Sequence, residues 1–148
     1  SHDYGSAGDF TVSVVGKSLM TKFKMSESGA NITHNMADLP VNLIYYLNSG
    51  SNTTTGDMAD LPVNLTDYIN SGLNTTTGDI ADLPVNLTDY RNYGLNTTTG
   101  DIANLPSGIT YFYSAGNSTV SGNISSFSVG EYNPDNYSLR LFLTRLIG

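Results

Sequence analysis

The chain repeats itself every 22 residues in four copies without an insertion, at 36–57, 58–79, 80–101 and 102–123. Each copy reads close to [MI]-A-D-L-P-V-N-L-x-x-[YF]-x-N-x-G-x-N-T-T-T-G-D. A short fixed period marks a stacked-repeat architecture, because one small unit cannot bury its apolar face alone and a stack of units can. Asn, Gly and Thr recur throughout the unit and are poor helix-interior residues, so the expected class is mainly β.

The 148 residues suffice for one domain with a buried core. Four regions are expected. Residues 1–9 are a flexible lead-in. Residues 10–35 form an N-terminal cap. In it FTVSVV (10–15) alternates as a strand, and MTKFKM (20–25) resembles ITYFYS (109–114) of the fourth copy. The stretch 16–35 thus reads as a degenerate first repeat. Residues 36–123 are the array. Residues 124–148 form a C-terminal cap or contact segment, with a loop at 128–137. Leu139, Leu141 and Leu143 there alternate with Arg140, Phe142 and Thr144. That segment is a cap strand, or an assembly contact carried by Leu139, Leu141, Phe142 and Leu143.

Within each copy Leu43, Leu65, Leu87 and Ile109 should point inward, as should Tyr46, Tyr68, Tyr90 and Phe112. Met58, Ile80 and Ile102 with Leu61, Leu83 and Leu105 should close the opposite wall. The Pro40, Pro62, Pro84 and Pro106 column excludes a regular helix there and favours extended backbone. Asn48, Asn70 and Asn92 should form a buried amide ladder, because buried polar groups need partners. The Thr runs at 53–55, 75–77 and 97–99 should stack into Thr ladders.

Comparing copy with copy locates the variation. Ala, Leu-Pro, both Gly positions and the first Thr are constant. Change concentrates at Tyr45/Asp67/Asp89/Tyr111, Leu47/Ile69/Arg91/Tyr113, Ser49/Ser71/Tyr93/Ala115 and Ser51/Leu73/Leu95/Asn117. The first three lie two apart on a strand, so they share one face, and that face is outward. A constant frame with one varied face rich in Tyr and Arg fits recognition. The candidate binding face is therefore Tyr45, Leu47, Asp67, Ile69, Asp89, Arg91, Tyr93, Tyr111 and Tyr113. Drift of exposed positions is the competing explanation.

The net charge of −7 sits wholly in the array, where eight Asp face Arg91 alone. Such a surface repels phosphate backbones, so no nucleic-acid partner is expected. No run of ~18 apolar residues occurs, so no membrane span is expected. The chain has no cysteine, which excludes disulfides and thiolate chemistry. Its two histidines, His2 and His34, belong to no catalytic set, and no cofactor is expected. Asp57, Asp79 and Asp101 form a column whose ordinary role is turn capping. If a metal binds anywhere, it is there, as calcium. Nine N-x-[ST] sequons occur, at Asn31, Asn52, Asn64, Asn74, Asn86, Asn96, Asn117, Asn123 and Asn136. In an Asn- and Thr-rich repeat they arise from composition.

The spacings Leu65-x-x-Tyr68-x-Asn70-x-x-Leu73 and Ile109-x-x-Phe112-x-Ser114-x-x-Asn117, each followed by a Gly-Asp-Ile or Gly-Asn-Ile, resemble the leucine-rich-repeat pattern. The repeat wording is similar to arrays in bacterial surface proteins and bacteriophage particles. The resemblance covers 36–123 strongly and 16–35 weakly. It implies a right-handed solenoid of leucine-rich-like repeats with parallel strands. It also implies a non-enzymatic protein of the extracellular or virion surface that binds a protein or glycan on a host or cell. Asn48, Asn70, Asn92 and Ser114 stand where the family has an inward Leu. Its ladder Asn is replaced, with Asn52, Asn74 and Asn96 one residue on. A purely structural, self-associating assembly subunit and a calcium-dependent adhesin are the alternatives.

Overall fold

The computed structural model describes residues 15–25, 32–116, 118–123, 127–128, 139–142 and 144–145, the last three segments as backbone. The lead-in at 1–9, the strand expected from Phe10, most of the 128–137 loop and Leu143 lie outside the described residues. The chain is mainly β, with ten parallel strands in two sheets and no α-helix among the described residues. The first sheet contains β1 (Lys22–Met25), β3 (Tyr45–Asn48), β5 (Asp67–Asn70), β7 (Asp89–Asn92) and β9 (Tyr111–Ser114). The second contains β2 (Thr33–Asn35), β4 (Thr53–Asp57), β6 (Leu73–Asp79), β8 (Thr97–Asp101) and β10 (Thr119–Ser121). A small antiparallel pair joins β11 (Phe127–Ser128) to β13 (Thr144–Arg145), and β12 (Leu139–Phe142) pairs antiparallel with β9.

Each copy gives one strand to each sheet. A one-turn 3-10 helix opens the copy, at Met36–Asp38, Met58–Asp60, Ile80–Asp82 and Ile102–Asn104. The Leu-Pro step ends each turn, because a residue before proline is driven out of the helical region. Leu61 sits there at φ −64 and ψ 137. The wall is thus extended at Leu-Pro, as the proline column implies, and turned just before it.

The first sheet stacks like on like. Tyr45 pairs with Asp67, Asp67 with Asp89 and Asp89 with Tyr111, a shift of 22 residues at each step. Equivalent side chains therefore form columns. The rings of Phe23, Tyr46, Tyr68, Tyr90 and Phe112 stack through the core at 5.9, 4.9, 5.2 and 5.3 Å between centroids. Phe23 joins because β1 pairs Lys22 with Tyr45, the register expected of a degenerate first repeat. Leu43, Leu65, Leu87 and Ile109, Met36, Met58, Ile80 and Ile102, and Leu61, Leu83 and Leu105 pack with this column in one buried cluster. Each full burial contributes about 1.5–3 kcal/mol.

Polar groups share this interior. Asn48, Asn70 and Asn92 are fully buried, and so nearly are Asn52, Asn74 and Asn96. The two columns interlock rather than forming one ladder. Asn48 Nδ2 donates to Asn70 Oδ1 at 3.1 Å, while Asn92 Oδ1 accepts from Asn74 Nδ2 at 2.8 Å. Asn70 and Asn92 also donate to the hydroxyls of Tyr68 and Tyr90. The middle threonines, Thr54, Thr76 and Thr98, are buried and bond into the same network. Burial of these polar side chains is tolerable because each makes at least one such bond, although Asn48 Oδ1 and Asn74 Oδ1 are left without a donor among the described residues.

The second sheet is offset. Thr53 pairs with Leu73, Thr55 with Thr75 and Thr77 with Thr97, a shift of 20 residues and not 22. The Thr ladders expected from the sequence therefore do not form there as equivalents on equivalents. An even shift preserves which face each side chain occupies. It also places Asp57 opposite Thr77 and Asp79 opposite Thr99, so each acidic rung meets a hydroxyl and not its own copy. Asp57 Oδ2 accepts from Thr77 at 3.0 Å and Asp79 Oδ2 from Thr99 at 3.3 Å.

This offset explains a constant glycine. Gly56, Gly78, Gly100 and Gly122 have φ between 109 and 141 and lie over the capping side chain of the preceding copy. A Cβ on Gly100 would stand 2.3 Å from Asp79 Oδ1. Gly100→Ala should therefore lose at least about 1–3 kcal/mol from the backbone conformation alone. Gly108→Ala, where the nearest atom is 3.9 Å away, should stay within about 0.5 kcal/mol. Urea unfolding of both variants checks the contrast.

Burial raises the hydroxyl pKa of Tyr46, Tyr68 and Tyr90, the last to about 12. Burial lowers that of His34 below the ordinary 6.5. On alkaline titration the unfolded tyrosines lose protons first, so stability is complete below pH 10 and falls as pH rises through the folded values. For His34 the unfolded state takes the proton first, so stability falls as pH drops below 6.5. Urea midpoints should form a plateau between these limits, and His34→Gln should flatten the acid limb only.

Candidate functional site

Alternation along the strands of the first sheet places two varied residues per copy on the outer face. Register then aligns them into two straight columns. One runs Lys22, Tyr45, Asp67, Asp89, Tyr111, and the other Lys24, Leu47, Ile69, Arg91, Tyr113. All nine residues of the candidate face lie on this surface or at its margin, with Tyr93 just beyond β7. Lys22 and Lys24 extend it and were not singled out from the sequence. The match of MTKFKM to ITYFYS carried the signal, since it aligns the two lysines with Tyr111 and Tyr113.

The C-terminal end of the face is the most organised. Arg91 holds Asp89 through two bonds, Nε to Oδ1 at 2.8 Å and Nη2 to Oδ2 at 2.6 Å. Its guanidinium lies 4.3 Å over the Tyr111 ring. The Asp89 hydrogen bond raises the already high Arg91 pKa further. Tyr93 and Tyr113 meet with centroids 4.6 Å apart and planes tilted by 33°. The outcome is a patch in which one fixed cation is sandwiched between a carboxylate and an aromatic ring. Such preorganised groups lose little entropy on engaging a partner.

Tyr111 departs from the expectation. It is only 8% exposed, whereas Tyr93 is 42% exposed. With Arg91 over its ring and β12 paired beside it, Tyr111 supports the patch rather than presenting it. Ser49 and Ser71, at the third varied position, bond back to the Met25 and Asn48 carbonyls of the preceding coil. That position therefore serves the frame in copies one and two and the surface in copy three. A further column escaped the sequence reading. Thr66, Thr88 and Thr110 donate their hydroxyls to Ile44, Thr66 and Thr88 carbonyls at 3.0–3.1 Å. Their identity in three copies was the available sign.

The Asp column has a structural role. Asp57, Asp79 and Asp101 each accept from the backbone N–H two residues on, at 2.8–3.0 Å, and so cap the 3-10 turns. Asn35 does the same for the first turn. Among the described residues no group of three His, Asp or Glu side chains is placed to hold a metal ion. No helix among them is long and apolar enough to cross a membrane. At the C-terminal end, β12 lies on β9 with Leu139 opposite Ser114, Leu141 opposite Phe112 and Phe142 opposite Tyr111. This is the position of a strand that closes the edge of the first sheet.

No protein-family model, no curated protein and no solved structure matches the chain.

The capping role makes a definite prediction for Asp79. Asp79→Asn keeps the acceptor that Asn35 already uses and should be nearly neutral. Asp79→Ala should lose about 0.5–2 kcal/mol. Chelator should leave the melting temperature of the parent chain unmoved. A calcium site would instead make the Asn variant costly and the melting temperature metal-dependent.

Proposed function

We propose that this chain is a non-enzymatic recognition protein of an outer surface, a bacteriophage particle or a bacterial cell, built as a right-handed leucine-rich-like solenoid. The outer face of the first sheet binds a protein or glycan on a host or cell surface. The single observation that carries this reading is the coincidence of sequence variation with that face. The frame residues are nearly invariant through the first three copies and change mostly to similar types in the fourth, while the two outer columns pass from lysine through Tyr, Leu, Ile and Asp to an Arg-Tyr cluster.

The two registers support a curved array with this face on its concave side. Equivalent residues in the first sheet lie one strand spacing apart, ~4.8 Å. In the second sheet a two-residue shear separates equivalents by about 8 Å. Copies that are closer on one side than the other fan out, and concave repeat surfaces suit extended partners.

The alternative is a structural subunit whose outer face or C-terminal segment packs on a second copy. The position of β12, along the edge of the first sheet, favours a cap for that segment. The recognition reading is tested by flow cytometry of the fluorescently labelled chain on bacterial cells. Combined Arg91→Ala and Tyr93→Ala should cut binding at least tenfold, as expected of central aromatic and arginine anchors worth about 1.4 kcal/mol or more. The melting temperature should stay within a few degrees. Unchanged binding, or dissociation of an assembly by the same variant, would favour the subunit reading.

A further inference from the structure

Five of the sequons, at Asn52, Asn64, Asn74, Asn86 and Asn96, fall into two structural classes. Asn52, Asn74 and Asn96, each in an Asn-Thr-Thr triplet, are only 2–3% exposed. Their amide nitrogens face inward and are committed. Asn52 Nδ2 donates to the Ser49 carbonyl at 3.1 Å, Asn74 Nδ2 to Asn92 Oδ1 at 2.8 Å, and Asn96 Nδ2 to the Gly94 carbonyl at 3.0 Å. The next copy closes over them. A Cβ on Gly94 would stand 2.2 Å from the Asn74 carboxamide, and one on Gly72 would stand 2.5 Å from the Asn52 carbonyl. Not even a methyl group fits above the Asn74 side chain or the backbone of Asn52 and Asn96. Asn64 and Asn86 differ. They are exposed, and Asn86 makes only a long 3.4 Å contact to the Val63 carbonyl.

N-glycosylation joins the Asn Nδ2 to the anomeric carbon of a lipid-pyrophosphate-linked oligosaccharide. The new N–C bond forms as the C–O bond to the pyrophosphate breaks. The lipid pyrophosphate leaves with the bonding pair, and the amide proton passes to a base. The hydroxyl of the +2 residue must be accessible for sequon recognition. In the folded chain Thr54, Thr76 and Thr98 are buried, and Leu65 and Leu87 anchor the exposed sequons in the core. Transfer to any of these five positions must therefore precede folding.

We propose that Asn52, Asn74 and Asn96 are folding traps. A glycan on any one of them excludes the native fold, whereas glycans on Asn64 and Asn86 are compatible with it. The chain then folds where no N-x-Thr oligosaccharide transfer reaches it first. This inference is independent of the recognition reading, since it rests on the interior and not on the outer face.

The test uses the full chain carrying Thr66→Ile and Thr88→Ile with Asn31→Gln, Asn117→Gln, Asn123→Gln and Asn136→Gln, which leaves Asn52, Asn74 and Asn96 as the only sequons. Copy one already carries Ile at the matching position, Ile44. This variant made in bacterial cytosol should melt cooperatively and serves as the folded reference. The same variant behind a secretion signal in N-glycosylating cells should carry glycans on Asn52, Asn74 and Asn96 and show no cooperative melting. Glycan release in heavy-oxygen water maps the occupied residues. Blocking synthesis of the lipid-linked donor should restore the melt. Cooperative melting with any ladder asparagine occupied would overturn the proposal. So would native folding with those sites left empty in untreated cells, and so would failure of the block to restore folding. In the parent chain the folded fraction should carry glycans on Asn64 or Asn86 and on none of the three ladder residues.

Discussion

In a parallel stack each residue lives beside its own copy. The first sheet enforces this fully, since its register equals the sequence period. Every position must then be a side chain that tolerates itself at about 4.8 Å. Flat rings do so by offset stacking. Carboxamides do so by bonding to the carboxamides, threonines and tyrosine hydroxyls of neighbouring columns. Threonine hydroxyls reach back to the carbonyl of the coil before. Carboxylates in register repel, and where the first sheet sets Asp67 beside Asp89 each has its own donor, Thr66 for Asp67 and Arg91 for Asp89. The second sheet escapes the constraint by shearing two residues per copy, so that Asp meets Thr. The constant glycines follow, because the shear brings backbone directly over each capping side chain.

The buried columns were legible from spacing. Leu43, Tyr46 and Asn48 with their equivalents lie inside, as spacing required, and Phe23 joins the ring column from β1. Asn52, Asn74 and Asn96 take a buried place one residue beyond Ser51, Leu73 and Leu95. The offset of the second sheet was not legible, because a 22-residue period suggests a 22-residue register everywhere. Only geometry reveals that two faces of one unit can advance by different amounts. The burial of Thr54, Thr76 and Thr98 was hidden for a related reason. A run of three identical residues does not declare which one faces in.

The outer columns were legible as positions but not as chemistry. Variation between copies picked out residues 45, 47, 67, 69, 89, 91, 93, 111 and 113, and all but Tyr93 occupy the two aligned columns of the first sheet. That Arg91 would be clamped by Asp89 over Tyr111 was not readable. Those residues are 2 and 20 apart in sequence and become neighbours only through the register. The same clamp, with β12 paired beside it, turns Tyr111 from a presented residue into a supporting one. A frame of self-compatible columns thus leaves the outer face as the place where copies are free to differ.

The difference between the two registers is the centre of this account, and a cysteine-free chain permits a direct measurement. Thr77→Cys with Thr97→Cys joins residues paired across the second sheet, within the Cα separation a disulfide needs. Thr77→Cys with Thr99→Cys joins sequence equivalents, which the shear holds about 8 Å apart. Mild oxidation of the folded protein should close the first pair rapidly and leave the second as free thiols. Rapid closure of the second pair with the first unreacted would contradict the offset.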